Sequence, residues 1–108
     1  MGVMNKNDQT IMDLHMVRGL LKDPRNFTRQ TMARDAAGNP VHALDPAAVC
    51  WCLTGACLKI AGGDFARFDP MIDELVKVTP GSFVQLYADT HQLAEVLDVL
   101  DHAIGAPA

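Results

Sequence analysis

The sequence predicts an all-α or nearly all-α fold, a compact bundle of about five helices around one central apolar helix. Apolar residues make up 49% of the chain but aromatic residues only 6%. This mixture favours helices, because strands favour aromatic and β-branched residues. Apolar residues also recur at helical spacing near both ends of the sequence. At 108 residues, the chain predicts a single globular domain over residues 1–108, with residues 1–8 as a flexible N-terminal segment.

The first predicted helix runs from about Gln9 to Lys22. Asp8 or Thr10 can cap its N-terminus. Asp23-Pro24 ends it, because the residue before a proline is disfavoured in the α conformation. The apolar stripe of this helix consists of Ile11, Leu14, Val17 and Leu21, widened by Met12, Met16 and Leu20. A stripe of this width indicates contact with two neighbouring elements.

The next segment, residues 26–43, has two interpretations. In the first, Phe27-Thr28 begins a short helix. In the second, residues 31–43 form a short β-hairpin whose strands, Thr31–Ala33 and Val41–Ala43, flank a turn. The composition of residues 35–40 predicts the turn in either case, because Gly38 tolerates positive φ and an Asn-Pro pair favours extended or turn conformations.

Asp45-Pro46 predicts the start of the central helix, because Asp is a good N-cap and Pro suits the first helical position. The range Ala47–Ala61 is almost wholly apolar, which is typical of a buried helix. Gly62-Gly63 ends it. Gly55 in its middle costs about 1 kcal/mol relative to Ala, which indicates that another backbone approaches closely there.

Two further helices are predicted towards the C-terminus. Asp69-Pro70 repeats the start signal of the central helix, and Pro80 marks the end of this element. Residues 82–88 fit either a helix or a strand. The last helix runs from about Thr90 to Ile104 and ends at Gly105. The inner face of the first of these helices is Ile72, Leu75 and Val76, and the stripe of the last is Leu93, Val96, Leu97, Leu100 and Ile104.

The charge distribution argues against a general nucleic-acid binder. The net charge is −4, whereas phosphate contacts need a basic surface. Residues 1–34 carry six Lys or Arg and three Asp, a net charge of +3, and residues 35–108 carry three Lys or Arg and ten Asp or Glu, a net charge of −7. This asymmetry favours pairing within the molecule or head-to-tail pairing between copies.

The three cysteines are predicted to be free, buried thiols. On a continuous central helix, Cys50 and Cys52 would lie on opposite faces, and Cys57 would lie two turns from Cys50, so neither pair could bind a metal or form a disulfide. We therefore expect no metal and no cofactor. The N-terminus lacks the apolar core of a signal peptide, and the longest apolar run is too short to span a bilayer. Free thiols and these absences favour a cytoplasmic protein without a membrane anchor.

Three sequence motifs together resemble a family of small bacterial and phage proteins of unknown function. In chain order they are Phe27-Thr28 leading to Ala33-Arg34-Asp35, then Trp51-Cys52-Leu53-Thr54-Gly55-Ala56, then Asp89-Thr90 leading to Glu95-Val96-Leu97. The resemblance extends from about Leu20 to Ile104. Phe27 stands where the family usually has Trp, and Ala88 stands where it usually has Asn. The resemblance implies a small cytoplasmic domain of bacterial or phage origin and implies no mechanism.

The main functional prediction is a non-enzymatic protein-interaction domain, either self-associating or binding another protein. The chain has no recognisable catalytic motif, no metal-ligand spacing and no charge suited to polyanions. The polar and aromatic motif residues are the ligand or interaction candidates: Arg34, Asp35, Trp51, Asp89 and Thr90. In a purely structural interpretation, Asp89 or Thr90 caps the last helix and Arg34 pairs with a carboxylate to fix the turn.

Two alternatives stay open. The chain could be a small enzyme or ligand-binding domain in which Cys52 is the nucleophile, His91 or His42 is the base, and Asp89 orients the imidazole. It could instead be a nucleic-acid-associated accessory protein. That role would depend on the basic concentration formed by Arg18, Arg25, Arg29 and Arg34.

Overall fold

The computed structural model describes residues 6–105, which form five α-helices and a small three-stranded sheet. The helices are α1 (Lys6–Leu21), α2 (Leu53–Ala61), α3 (Phe65–Val78), α4 (Val84–Thr90) and α5 (Leu93–Ile104). The strands are β1 (Ala33–Arg34), β2 (Pro40–Val41) and β3 (Cys50–Trp51), and short 3₁₀ turns span Pro24–Asn26 and Pro80–Ser82. The prediction of a nearly all-α bundle of about five helices with a short hairpin is confirmed.

α1 begins earlier than the sequence predicts. It starts at Lys6, and Asp8 and Thr10 lie inside it, so the prediction that one of them caps the helix is wrong. Residues 6–9 are all polar, so the apolar periodicity that predicts a helix begins only after them. Of the N-terminal segment predicted to be flexible, residues 1–5 lie outside the described part of the chain, and residues 6–8 belong to α1.

The buried face of α1 is narrower than predicted. Leu14, Val17 and Leu21 are fully buried, as expected, whereas Ile11 of the predicted stripe is 37% exposed. Met12 and Met16 are about half exposed, because helical geometry places both on the opposite side from Leu14. The prediction that these methionines widen the stripe is wrong.

The sheet places β1 between β2 and β3, and both pairs are antiparallel. Ala33 lies opposite Val41 on one side and opposite Trp51 on the other. The hairpin interpretation of residues 31–43 is therefore right, with strands shorter than expected. The alternative, a short helix from Phe27-Thr28, is wrong. Gly38 has a φ of 86° in the connecting turn, as its position predicts.

The central helix is shorter than predicted. α2 begins at Leu53, and the prediction of a helix from Ala47 is wrong, because residues 50–51 pair with β1 as β3. Asp45 caps a local turn through the backbone N–H of Ala47 instead of starting a helix. The helical spacing assumed for Cys50 and Cys52 therefore does not exist.

α2 nevertheless lies at the centre of the fold, as predicted. It packs against α1, α3 and α4, and six of its nine residues are buried. At Gly55, a Cβ atom would overlap the carbonyl group of Met32. The prediction that another backbone approaches the helix at this glycine is confirmed.

α3 starts at Phe65, and the prediction that Asp69-Pro70 begins it is wrong. Asp64 is the N-cap, with its carboxylate accepting a hydrogen bond from a backbone N–H in the first turn, and the proline lies inside the helix. A proline inside a helix lacks the backbone N–H that would donate to the carbonyl four residues earlier. α3 nevertheless continues through Pro70 to Val78. Leu75 is fully buried as predicted, but Val76 is 37% exposed and faces outwards.

The final two helices meet at a boundary that the sequence places too early. Residues 84–88 adopt the helical alternative, in α4. α5 begins after Gln92, whose side chain forms a capping box with Glu95. Asp89 and Thr90 belong to the last turn of α4, so the prediction that either caps the last helix is wrong.

Two ion pairs fasten α1 to the rest of the bundle. The fully buried Asp13 contacts Arg67 of α3 at 2.6 Å, and Arg18 contacts Asp101 of α5 at 2.6 Å. The second pair joins the basic first part of the chain to its acidic second part. This pair agrees with the prediction that the two oppositely charged parts of the chain pair within the molecule.

Candidate functional site

Asp89 connects three segments of the chain. Its Oδ1 accepts a hydrogen bond from the backbone N–H of Gln30 at 3.0 Å and another from the Gln85 side chain at 2.7 Å. The Gln85 Oε1 in turn accepts from the backbone N–H of Thr54, in the first turn of α2, at 3.3 Å. Gln30 has a positive φ of 69°, a conformation that a residue with a side chain rarely adopts. Asp89 therefore ties α4 to a strained loop and, through Gln85, to α2.

Cys52 is buried at the N-terminus of α2, with an exposed fraction of 1%. It is the N-cap residue, and its Sγ accepts a hydrogen bond from the backbone N–H of Gly55 at 3.1 Å. Burial raises the pKa of the Cys52 thiol; the Gly55 N–H opposes this effect and the Asp89 carboxylate adds to it. The thiol is neutral at physiological pH, although the thiolate is the nucleophilic form.

His91 follows α4, and its ring contacts residues of α4. Its ring stacks on Tyr87 with centroids 3.7 Å apart, and its Nδ1 lies 2.9 Å from the Tyr87 carbonyl oxygen. Within residues 6–105, no hydrogen bond joins any two of Cys52, His91 and Asp89. Thr90 donates its hydroxyl to the Leu86 carbonyl within α4. These contacts stabilise the end of α4.

Arg34 of β1 connects the loop before the sheet to the turn after β1, and all its hydrogen-bond partners are neutral groups. It donates to the hydroxyl of Thr28 at 2.9 Å and to the carbonyl oxygens of Gly38 and Arg29 at 3.1 and 3.3 Å. The prediction that it pairs with a carboxylate is wrong, because Asp35 instead accepts hydrogen bonds from backbone N–H groups inside the turn.

Trp51 is buried and belongs to the core. Its indole N–H donates to the carbonyl oxygen of Ala43 at 2.9 Å. The ammonium group of Lys59 lies 5.7 Å from the ring centroid, within the range of a cation–π contact. The aromatic residue of the second motif therefore joins the sheet to α2.

The four candidate nucleic-acid arginines have separate partners. Arg18 contacts Asp101, and the exposed Arg25 contacts Asp23 at 2.8 Å. Arg29 donates to the backbone carbonyl of His91 and lies over the Phe27 ring at 4.8 Å, and Arg34 binds the loop described above. The geometry supplies no observation that favours phosphate binding by this group.

Residues 6–105 contain no group of three or more His, Cys, Asp or Glu side chains arranged to hold a metal ion, and the cysteines at 50, 52 and 57 are free thiols. None of the helices described is long and apolar enough to cross a membrane.

An exposed apolar groove lies between α3 and α4 and was not predicted from the sequence. Phe83 and Leu86 on its α4 side are 69% and 60% exposed, and Val76 on its α3 side is 37% exposed. The groove encloses about 460 Å³. Its lining is completed by Thr54, Phe68, Ile72, Ser82, Val84 and Gln85. We call this surface the α3–α4 groove.

A signal for the groove was present in residues 82–88. If the segment is helical, Val84 and Ala88 share one face, and Phe83 and Leu86 necessarily fall elsewhere. Burial of Val84 and Ala88 therefore exposes both large apolar residues. The ambiguity between helix and strand concealed this, because alternation along a strand distributes the same residues differently.

Two other cavities are more polar. The cavity between α1, α3 and α5 encloses about 830 Å³ and includes Asp73, Glu74 and Lys77 in its lining. A smaller cleft between α4 and α5, about 370 Å³, is lined by Tyr87, Glu95, Asp98 and His102, among others. Burial raises the pKa of Tyr87, and Glu95 and Asp98 raise it further.

The fold and these contacts define a small helical domain whose motif residues connect its elements. The chain belongs to a family described as "Family of unknown function (DUF6197)", whose model matches residues 6–106. The resemblance to a family of unknown function is thereby confirmed. No curated protein and no solved structure matches the chain.

Proposed function

We propose that this chain is a non-enzymatic protein-interaction domain and that the α3–α4 groove is its contact surface. The observation that carries the proposal is the exposure of Phe83 and Leu86 beside Val76 on one groove. Clusters of exposed large apolar side chains on a soluble domain mark interaction sites. Aromatic and aliphatic side chains at such a surface supply most of the binding free energy when a partner covers them.

The environment of the catalytic candidates also supports a non-enzymatic role. A nucleophilic cysteine needs access and a lowered pKa, whereas Cys52 is buried with a raised pKa. Asp89 and His91 hold backbone and side-chain partners that stabilise the loop and α4. Their contacts account for these residues without a reaction.

We also propose a cytoplasmic setting in a bacterium or phage-infected bacterium. Three free thiols support a reducing compartment. The order of the motifs, which resembles small bacterial and phage proteins, supports the origin. The partner is either a second copy of the chain or a different protein.

Site-specific photocrosslinking tests the contact surface. A benzophenone amino acid replaces Leu86 in one variant and Val49 in a matched control. Val49 is also an exposed apolar residue, 47% exposed, and lies outside the groove. The variants are irradiated both as purified protein and inside producing bacterial cells, so that self-association and other partners are detected separately.

We expect crosslinked products at position 86 and none at position 49. An excess of unlabelled protein should compete for these products, whereas an excess of the Leu86→Asp variant should not. Absence of products at position 86 in both settings, or equal products at the two positions, would contradict the proposed function.

A further inference from the structure

Residues 29–31 cross from one edge of β3 to the other, past the C-terminal end of that strand. Trp51 of β3 pairs in parallel with Phe27 before the crossing and antiparallel with Ala33 after it. Because a residue in a sheet has one partner on each side, the two segments lie on opposite edges of β3. The crossing passes the start of α2, where the backbone N–H of Cys52 donates at 3.2 Å to the carbonyl oxygen immediately after it. We call residues 29–31 the strap.

Polar contacts hold the strap against the end of α4. The guanidinium of Arg29 donates to the His91 carbonyl oxygen at 2.7 Å, and the backbone N–H of Gln30 donates to Asp89 Oδ1 at 3.0 Å. On the sheet side, the Arg29 carbonyl oxygen accepts from the Arg34 side chain at 3.3 Å. The strap is therefore fastened at both ends by hydrogen bonds.

Cys52 lies where the strap meets α2 and α4. It is buried at the N-cap of α2, next to the crossing. Burial raises the pKa of its thiol, and the Asp89 carboxylate, which accepts a hydrogen bond from the strap, raises it further. No residue of the strap is itself buried, since Arg29 and Thr31 are half-buried and Gln30 is exposed. A thin, polar segment thus forms part of the cover over this thiol.

The closed strap is a strained conformation. Gln30 and Ser82 are the residues other than glycine that have a positive φ in residues 6–105, at 69° and 64°. Such a conformation costs free energy and persists only where surrounding contacts impose it. Little apolar contact opposes the release of the strap, and segments of this kind open locally with the lowest free energies.

We infer that the strap alternates between a closed state, held against α4 by Arg29 and Gln30, and an open state in which small thiol-reactive molecules reach Cys52 while the helices stay packed. Opening returns Gln30 to an ordinary backbone conformation, which offsets part of the loss of its hydrogen bond. Cys57 is fully buried in the core, so opening of the strap leaves it shielded. The strap is a gate for a single thiol, and this inference does not depend on the contact surface proposed above.

Alkylation kinetics test the gate. Cys50→Ala with Cys57→Ala leaves Cys52 as the reactive thiol, and Cys50→Ala with Cys52→Ser leaves Cys57. Each protein reacts with dilute N-ethylmaleimide at one fixed pH, over a urea series below the unfolding transition, and mass spectrometry follows the product. Dilute reagent makes the rate follow the population of the open state. Each rate is divided by that of the same thiol in the unfolded protein.

Cys52 should react at least about tenfold faster than Cys57 without urea. Its rate should hardly change with urea, because opening of the strap exposes little surface, whereas the Cys57 rate should rise steeply. Asp13→Asn weakens the whole bundle and should accelerate the Cys57 reaction about thirtyfold. The same substitution should leave the Cys52 rate unchanged.

Substitutions at the strap should move the Cys52 rate in opposite directions. Asp89→Ala removes the acceptor of the Gln30 N–H and should raise the rate about fivefold. Gln30→Gly relieves the left-handed strain and should lower the rate about threefold. The matched control is Ser82→Gly, which relieves the same strain in the turn before α4 and should leave the rate unchanged.

Several outcomes would overturn the inference. Equal rates for the two thiols, equal urea dependence, or equal acceleration by Asp13→Asn would show that Cys52 is exposed only when the whole domain unfolds. An effect of Ser82→Gly as large as that of Gln30→Gly would remove the role of the strap. If a single-thiol protein does not fold, amide exchange of the unmodified chain decides: the amide of residue 30 should exchange faster and with weaker urea dependence than the α2 amides, and equal behaviour would reject the gate.

Discussion

Substitution of Gly55 by Ala tests the central packing contact of the fold. A Cβ atom at this position would overlap the Met32 carbonyl oxygen and would lie only 2.8 Å from its carbon and 3.1 Å from the Met32 Cα. These neighbours are backbone atoms, so a rotamer change cannot relieve the contact. The same carbonyl accepts a hydrogen bond from the backbone N–H of Cys52 at 3.2 Å, which any displacement of Met32 would weaken.

The expected loss in the free energy of unfolding is about 2 kcal/mol. Overpacking costs about 1–3 kcal/mol, and the weakened hydrogen bond adds up to about 1 kcal/mol. The better helix propensity of Ala returns up to about 1 kcal/mol. A loss of this size lowers the melting temperature by about 10 °C for a domain of this length.

Urea denaturation, followed by far-UV circular dichroism and by Trp51 fluorescence, measures the effect. Gly19→Ala in α1 is the matched control, because nothing lies within 4 Å of the added Cβ. It should stabilise the protein by about 0.5–1 kcal/mol. If Gly55→Ala is neutral or stabilises the protein as Gly19→Ala does, the proposed close approach of the two backbones is refuted.

Three further predictions concern two ion pairs, the hydrogen bonds of Asp89 and the thiol of Cys57. Asp13→Asn should destabilise the fold by about 2 kcal/mol, because it removes charge-assisted hydrogen bonds between a fully buried carboxylate and the partly exposed Arg67, whereas Asp101→Asn at a pair that is about one-third exposed should cost less than about 1 kcal/mol. Asp89→Ala should cost about 1 kcal/mol and accelerate amide exchange at residue 30. Burial raises the pKa of Cys57, so stability should fall by about 1.4 kcal/mol per pH unit above pH 9, and Cys57→Ala should make this decline shallower.

The sign of the alkaline effect follows from the thiol chemistry. Below the ordinary thiol pKa of 9.0, the Cys57 thiol is protonated in the folded and in the unfolded protein, so the free energy of unfolding does not depend on its titration. Above it, unfolding releases a proton that the folded state retains, so the unfolded state is favoured.

Chemical denaturation across pH, with amide exchange for the Asp89 variant, checks this set. A decline of equal slope in the wild type and the Cys57→Ala variant would contradict the alkaline prediction. Equal losses for the two carboxylate variants would contradict the assignment of Asp13 as the buried partner. Unchanged exchange at residue 30 would show that Asp89 does not hold that loop.

Local sequence signals predicted the number and type of most elements. The α5 stripe, the turn at Gly38 and the close approach at Gly55 were predicted from local signals and are present, and the α1 stripe is present in part. Helix ends were predicted less well, because an Asp-Pro pair can start a helix or form a turn. Asp45-Pro46 forms a turn, and Asp69-Pro70 lies inside α3.

The errors at the centre of the chain have a tertiary cause. Residues 50–51 are apolar enough for a buried helix, but pairing with Ala33 and Arg34 makes them a strand. The paired residues lie 16 to 18 positions apart in the sequence, because Arg34 pairs with Cys50 and Ala33 with Trp51. A local sequence pattern does not predict such a pairing. The partners of Asp89 were unpredictable for the same reason, since Gln30 lies 59 residues away.

The short length of α2 determines how the domain unfolds. Nine residues are too few for an isolated helix to be stable in water, because helix nucleation is unfavourable and little propagation follows. α2 therefore persists only while α1, α3 and α4 surround it, and each of them loses a neighbour if it melts. The bundle should behave as one cooperative unit, with the innermost α2 amides exchanging with solvent only when the entire domain opens.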